Sequence, residues 1–178
     1  MKLKLFILVL ALQTAWILGT TIVQERGLAS GTVILLETRP VDPRDLLRGD
    51  YIILNYKISD IPLNMFSPLV TNSLPPGATV YVALEKQGEF YGVATASTEP
   101  ITPAAGQVLL RGRTQSWWSE TNAHLEYGLE RYYVREGTGT TQGKITVQAA
   151  VPSSGRAQIK AVLVDGKPFE QTVKDSQR

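Results

Sequence analysis

The sequence predicts a mainly β fold, with a single N-terminal transmembrane helix followed by a small β-barrel or β-sandwich domain with short helical turns. Three observations predict it. Residues 5–23 carry no charged side chain; beyond Ser30-Gly31 the chain breaks into short segments rich in Val, Ile, Thr and Tyr and punctuated by Gly and Pro; and no long amphipathic helical pattern separates those segments. At 178 residues, 43% of them hydrophobic, the length suits one membrane segment and one domain with its own core. The chain therefore divides into an anchor or signal segment over 1–26 and a β-rich domain over 30–178.

The apolar run forms a helix of roughly 28 Å at about 1.5 Å per residue, close to the approximately 30 Å hydrocarbon core of a bilayer. Residues 5–23 thus contact lipid. Lys2 and Lys4 lie on the near side of the run, which predicts a single-pass protein of the cytoplasmic membrane, N-terminus inside, with the domain in the periplasm or on the extracellular side. A secretory signal cut after Ala29 is the competing reading, because Gly27 and Ala29 place small residues where a signal peptidase inspects them. Against it, the run exceeds the roughly 7 to 15 residues of such a signal, and Glu25-Arg26 separates it from the cut. Both readings export the domain. A buried helix of a cytoplasmic fold is a third.

Strands are predicted over 32–38 and 51–59, then over 79–85 and 90–95 as a hairpin turning on Lys86-Gln87-Gly88-Glu89. Segments 107–114, 125–134, 144–151 and 156–164 continue the series, and Asp165-Gly166 is a tight-turn dipeptide before a last short segment around Phe169. In the second strand Ile52, Leu54, Tyr56 and Ile58 share one face, expected to be the core face, while Tyr51, Ile53, Asn55 and Lys57 share the other. Two stretches, 60–77 with its four prolines and 135–143 with three glycines and three threonines, read as long irregular loops.

A net charge of +2, without a basic run interleaved with aromatics, argues against nucleic acid as a partner. The absence of cysteine excludes disulfides, thiol catalysis and thiolate metal sites. One histidine, His124, leaves no usual zinc or iron set, so neither a metal nor a cofactor is expected. His124 reads as an ordinary strand residue with no acid at a telling spacing.

The densest local chemistry is the run Asp42-Pro43-Arg44-Asp45-Leu46-Leu47-Arg48-Gly49-Asp50-Tyr51-Ile52-Ile53-Leu54-Asn55-Tyr56, in which a charged turn empties into an alternating strand. Asp42 reads as the cap of a short helical turn begun by Pro43, with Asp45 answering its free amides. Gly49 permits the reversal into the strand, and Asp50 is placed to bond turn amides or to pair with Arg44 or Arg48. A second cluster of charged and aromatic residues, Glu130, Arg131, Tyr132, Tyr133 and Glu136, follows Tyr127-Gly128-Leu129.

Residues 49–56 fit Gly-Asp-Tyr-x-x-Leu-x-Tyr at every specified position, and the chain resembles the bacterial GDYXXLXY protein family, named for that pattern. The apolar helix, the Pro40-Val41-Asp42-Pro43-Arg44-Asp45 lead-in and the 127–137 segment agree with the likeness. The resemblance implies a single-span membrane protein with an exported domain and brings no assigned activity.

Function at this level is a non-enzymatic docking component of the bacterial envelope, meeting an inner-membrane or envelope protein. Its expected surface is the motif corner (Asp42, Arg44, Asp45, Arg48, Gly49, Asp50, Tyr51, Leu54 and Tyr56), seconded by Glu130, Arg131, Tyr133 and Glu136. No catalytic residue is nominated. The alternatives are an exported hydrolase and a small-ligand-binding β module. A signal-peptidase-like hydrolase needs a serine activated by a lysine, whereas Lys57, Lys86, Lys144 and Lys160 read as solvent-facing; a glycan-directed one needs paired carboxylates. Arg48-Gly49-Asp50 as an adhesive tripeptide carries little weight, since it runs directly into a strand. Trp117-Trp118 must send one ring away from the core, and Met65-Phe66 reads as an apolar loop tip.

Overall fold

A computed structural model describes residues 2–39, 51–70, 74–115, 121–134 and 143–176. The chain opens with one continuous helix, α1 (Lys2–Ser30), whose Lys2–Gly27 stretch is long and apolar enough to cross a membrane and is not buried against the rest of the chain. No linker separates it from the domain. Gly31 accepts the turn, its amide bonded to the Gly27 carbonyl at 3.0 Å, and a Cβ there would meet the Val151 backbone at 3.0 Å. Only glycine allows that close approach.

The domain is mainly β, as expected. Strands β1 (Thr32–Glu37), β2 (Tyr51–Ile53), β3 (Asp60–Pro62), β4 (Thr79–Gln87), β5 (Phe90–Ser97) and β6 (Val108–Thr114) are followed by β7 (Asn122–Glu126), β8 (Arg131–Tyr133), β9 (Ile145–Val151), β10 (Gln158–Val164) and β11 (Lys167–Pro168). One sheet has the order β1-β9-β10-β11, a second β3-β7-β6-β4-β5, and β2 pairs with β8 as a two-stranded ribbon. The second sheet nearly closes into a barrel. After β3 the chain crosses to the opposite edge, where Phe66 bridges Ala96 of β5 and the Ser67 amide donates to the Ala96 carbonyl at 2.8 Å.

Alternation explains the core. Ile34 and Leu36 of β1, Val80 and Val82 of β4, and Leu110 of β6 point inward at every second position, and with Val147, Leu125 and Ile61 they form one contiguous cluster. The β4–β5 register shifts between Ala83 and Leu84, where β5 carries the extra residue Ala94, while Val80, Val82 and Leu84 keep the inward alternation of β4. The predicted core face of the second strand holds at all four positions: Ile52, Leu54, Tyr56 and Ile58 are buried.

Several expectations need correction. The regular second strand stops at Ile53, short of the expected Ser59, and Lys57–Ser59 forms a 3-10 turn. Segment 125–134 is two strands rather than one, interrupted by a turn in which Gly128 holds φ at +80°, a value that L side chains rarely adopt. The 60–77 stretch is not simply a loop, since it supplies β3 and the barrel closure. Phe66 is accordingly 3% exposed and is no loop tip. The end of the chain is a helix, α2 (Phe169–Ser176), seated by the buried Phe169 after the Asp165-Gly166 turn. The Asp42–Pro43 capped turn and Trp117-Trp118 lie outside the described residues.

Candidate functional site

The motif segment and the second aromatic cluster, distant in sequence, meet on the β2–β8 ribbon. Tyr51 faces Tyr133, Ile52 faces Tyr132 and Ile53 faces Arg131 in antiparallel register, and the Leu54 amide continues the pairing to the Glu130 carbonyl at 2.8 Å. Of the nominated residues, Tyr51, Leu54, Tyr56, Glu130, Arg131 and Tyr133 are therefore brought together. Asp42, Arg44, Asp45, Arg48, Gly49, Asp50 and Glu136 lie outside the described residues.

The inner and outer sides of this ribbon differ in kind. Inside, Leu54 and Tyr56 are 1% and 0% exposed and offer no surface to a partner. The Tyr56 hydroxyl donates to the Leu129 carbonyl at 2.7 Å, and in the reverse direction the Tyr127 hydroxyl donates to the Ile58 carbonyl at 2.7 Å. These reciprocal bonds clamp 56–58 to 127–129. The Glu130 carboxylate closes the intervening turn by accepting from the Tyr127 amide at 2.6 Å. Burial, and secondarily the Glu130 charge, push both phenols well above their usual range, so they stay protonated and donating.

Outside, Tyr133 is 71% exposed, its ring 5.9 Å from that of Tyr51, and the Arg131 guanidinium lies 5.6 Å over the Tyr51 ring. On the other side of β8, Tyr132 packs edge-on against Phe169 at 6.1 Å and donates to Glu170 of α2. Its phenol is pushed up to about 12, by burial first and then by that carboxylate.

Beside the ribbon lies a cluster that the sequence left unmarked. Glu37 accepts from Lys57 at 2.7 Å and from Lys144 at 2.8 Å, and the two ammonium groups, Lys144 foremost, hold its carboxyl below the usual carboxylate range. Lys57 and Lys144 remain about half exposed but are ion-paired, which their solvent-facing positions did not announce. Asp60 binds both Arg39 and His124, with His124 Nδ1 at 2.5 Å. His124 is a strand residue as expected, but its acid sits directly across the β3–β7 ladder, 64 positions away in the chain. Glu37, Arg39, Ile53, Asn55, Lys57 and Lys144 line a cleft of about 370 Å³ against the motif edge. The only trace of this cluster in the sequence is Glu37 alternating with the buried Leu36 at the end of an apolar strand.

A nearly closed β barrel flanked by a second sheet, led directly by an apolar helix of membrane-crossing length, defines a small helix-tethered β protein with a two-stranded aromatic ribbon. The model of one family, described as GDYXXLXY protein, matches residues 13–162, and the chain belongs to that family. The match runs from within α1 into β10 and includes both halves of the ribbon. No curated protein and no solved structure matches the chain.

Proposed function

We propose that this chain is a bilayer-tethered domain that docks onto a membrane or envelope protein through the outer side of the β2–β8 ribbon, carried across the cytoplasmic membrane by α1. The observation that carries this reading is the division of labour on the ribbon. Leu54 and Tyr56 of the motif are consumed by the core, while Tyr51, Arg131 and Tyr133 are held in fixed aromatic and cation–π geometry on the outside. Interface anchors are enriched in tyrosine and arginine, and pre-ordering them lowers the entropy lost on binding.

A photo-crosslinking residue placed at Tyr133 in intact cells tests it. A discrete adduct with one membrane protein is expected, lost in the Tyr51→Ala/Arg131→Glu variant and absent when the probe stands at the exposed Lys160 of β10. Equal adducts from both positions would remove the reading. The cleft beside the motif favours a second one, a small anionic envelope ligand held by Lys57 and Lys144, because its volume is that of a modest ligand site. Protection of Lys57 and Lys144 from acetylation by an anionic extract fraction, with the Tyr133 adduct absent, would favour that reading.

A further inference from the structure

Between the α1 junction and the 127–128 turn, three arginines gather around one acid, Glu126. Arg111 and Arg113 are two apart on β6 and so share a face, and the Arg111 amide donates to the Gly155 carbonyl at 2.8 Å, which brings the β9–β10 turn and its Arg156 alongside. Arg111, Arg113 and Arg156 line a cleft of about 670 Å³, together with Glu126, Tyr127 and Gly128. Glu126, the acid in that cleft, accepts from Gln115 at 2.5 Å, and among the described residues none of Arg26, Arg111, Arg113 and Arg156 has a carboxylate within ion-pair distance. The Tyr81 ring, 5.4 Å beneath the Arg111 guanidinium, orients it.

The same turn also rests against the helix. Trp16, Thr20, Val23, Arg26 and Arg156 line a second cleft of about 750 Å³, so Arg156 belongs to both, and Gln158 Oε1 at its edge has no hydrogen-bond partner among the described residues. Gly27 lies against the Pro152 ring. If residues 5–23 cross the hydrocarbon, this second cleft straddles its edge: Trp16, Thr20 and Val23 lie within it, and Gly27 stands four residues, about 6 Å, beyond it, at the depth of the phospholipid headgroups.

We propose that Arg26, Arg111, Arg113 and Arg156 form a seat for anionic phospholipid headgroups, so that the barrel rests on the bilayer surface and the β2–β8 ribbon is directed away from it. The inference rests on the bilayer-tether reading. The chemistry matches: planar guanidinium forks bind phosphate oxygens in pairs, and several basic groups at one level of a membrane surface attract anionic lipid together. The geometry gives the orientation, since β1 runs from Thr32, beside α1, to Glu37, beside the motif cluster, a rise of about 17 Å.

The full-length chain reconstituted in nanodiscs of phosphatidylcholine alone, or of phosphatidylcholine with phosphatidylglycerol, tests the seat by amide hydrogen exchange. Severalfold slower exchange over 109–114 and 152–158 is expected with phosphatidylglycerol, with β1 and β9 unchanged, and the Arg111→Gln/Arg113→Gln/Arg156→Gln variant should abolish the difference. The same exchange in both lipids, or a lipid effect that survives in the variant, overturns the seat while leaving the tether intact. Equal protection by glycerol phosphate added to phosphatidylcholine nanodiscs also overturns it, by identifying a soluble anion as the occupant. A chain that fails to enter nanodiscs of either composition takes down the tether and the seat together.

Discussion

The two ends of the β domain handle charge in opposite ways. Around the motif ribbon, Glu37 and Asp60 each bind two partners, so six side chains, from β1, its exit, the 3-10 turn, β3, β7 and the residue before β9, are drawn into two clusters. Around the α1 junction and the cleft beside it, Arg26, Arg111, Arg113 and Arg156 make no ion pair among the described residues. Glu37 and Asp60, each about one-fifth exposed and each held by two partners from distant strands, belong to the architecture of the motif end. Unpaired arginines in open clefts contribute little to folding and remain available to a ligand. The contrast separates what holds the motif end together from what the helix end presents.

The strongest way to break this contrast is at Tyr56. Tyr56→Ala should destabilise the domain by about 3–5 kcal/mol, from the lost burial and the cavity left behind, read as a fall in the urea midpoint of the detergent-solubilised chain. An effect below about 1 kcal/mol would show that the ribbon is not part of the core. Tyr56→Phe isolates the clamp itself. With the ring retained and the Leu129 carbonyl left unpaired, a loss of about 1–3 kcal/mol is expected, and Tyr127→Phe should cost a similar amount through Ile58.

A smaller effect sharpens the role of Glu37. Its folded-state pKa lies below the ordinary value of 4.5, so its contribution is complete above that value and is lost as pH falls through the depressed folded one. Urea midpoints followed downward from pH 5 should therefore decline less steeply in Glu37→Gln than in the parent chain. Identical slopes would mean that the Lys57 and Lys144 bridges contribute nothing to folding. The smallest effect is expected at the other end: Arg113→Gln and Arg156→Gln should each leave the urea midpoint within about 0.5 kcal/mol of the parent. A larger loss would make these arginines structural and erase the contrast.

Much of the fold was legible locally. The inward set Ile52, Leu54, Tyr56 and Ile58, the β4–β5 hairpin and the Asp165-Gly166 turn all follow from period-two alternation and turn chemistry, which act over a few residues. The prolines of 60–77 suggested a loop because proline weakens ladders, yet Pro62 sits at the end of an edge strand, where a missing amide is tolerated. The 125–134 segment looked like one strand because its polar and apolar residues keep alternating across a turn at Gly128. Of the candidate site, Tyr51, Arg131 and Tyr133 were nominated from the chain. Their adjacency was not, and neither was the exclusion of Leu54 and Tyr56 from the surface.

By itself the sequence determined an apolar helix of membrane-crossing length, a β domain and its family, because hydropathy, alternation and a fixed motif are properties of neighbouring residues. Tertiary structure alone decided that Tyr56 bonds a carbonyl 73 positions away, that Thr38 bonds one 107 positions away, and that Glu37 gathers Lys57 and Lys144. Such partnerships depend on how strands from remote parts of the chain pack around one core. A pattern local to each strand states which side faces inward but not which distant backbone it meets there.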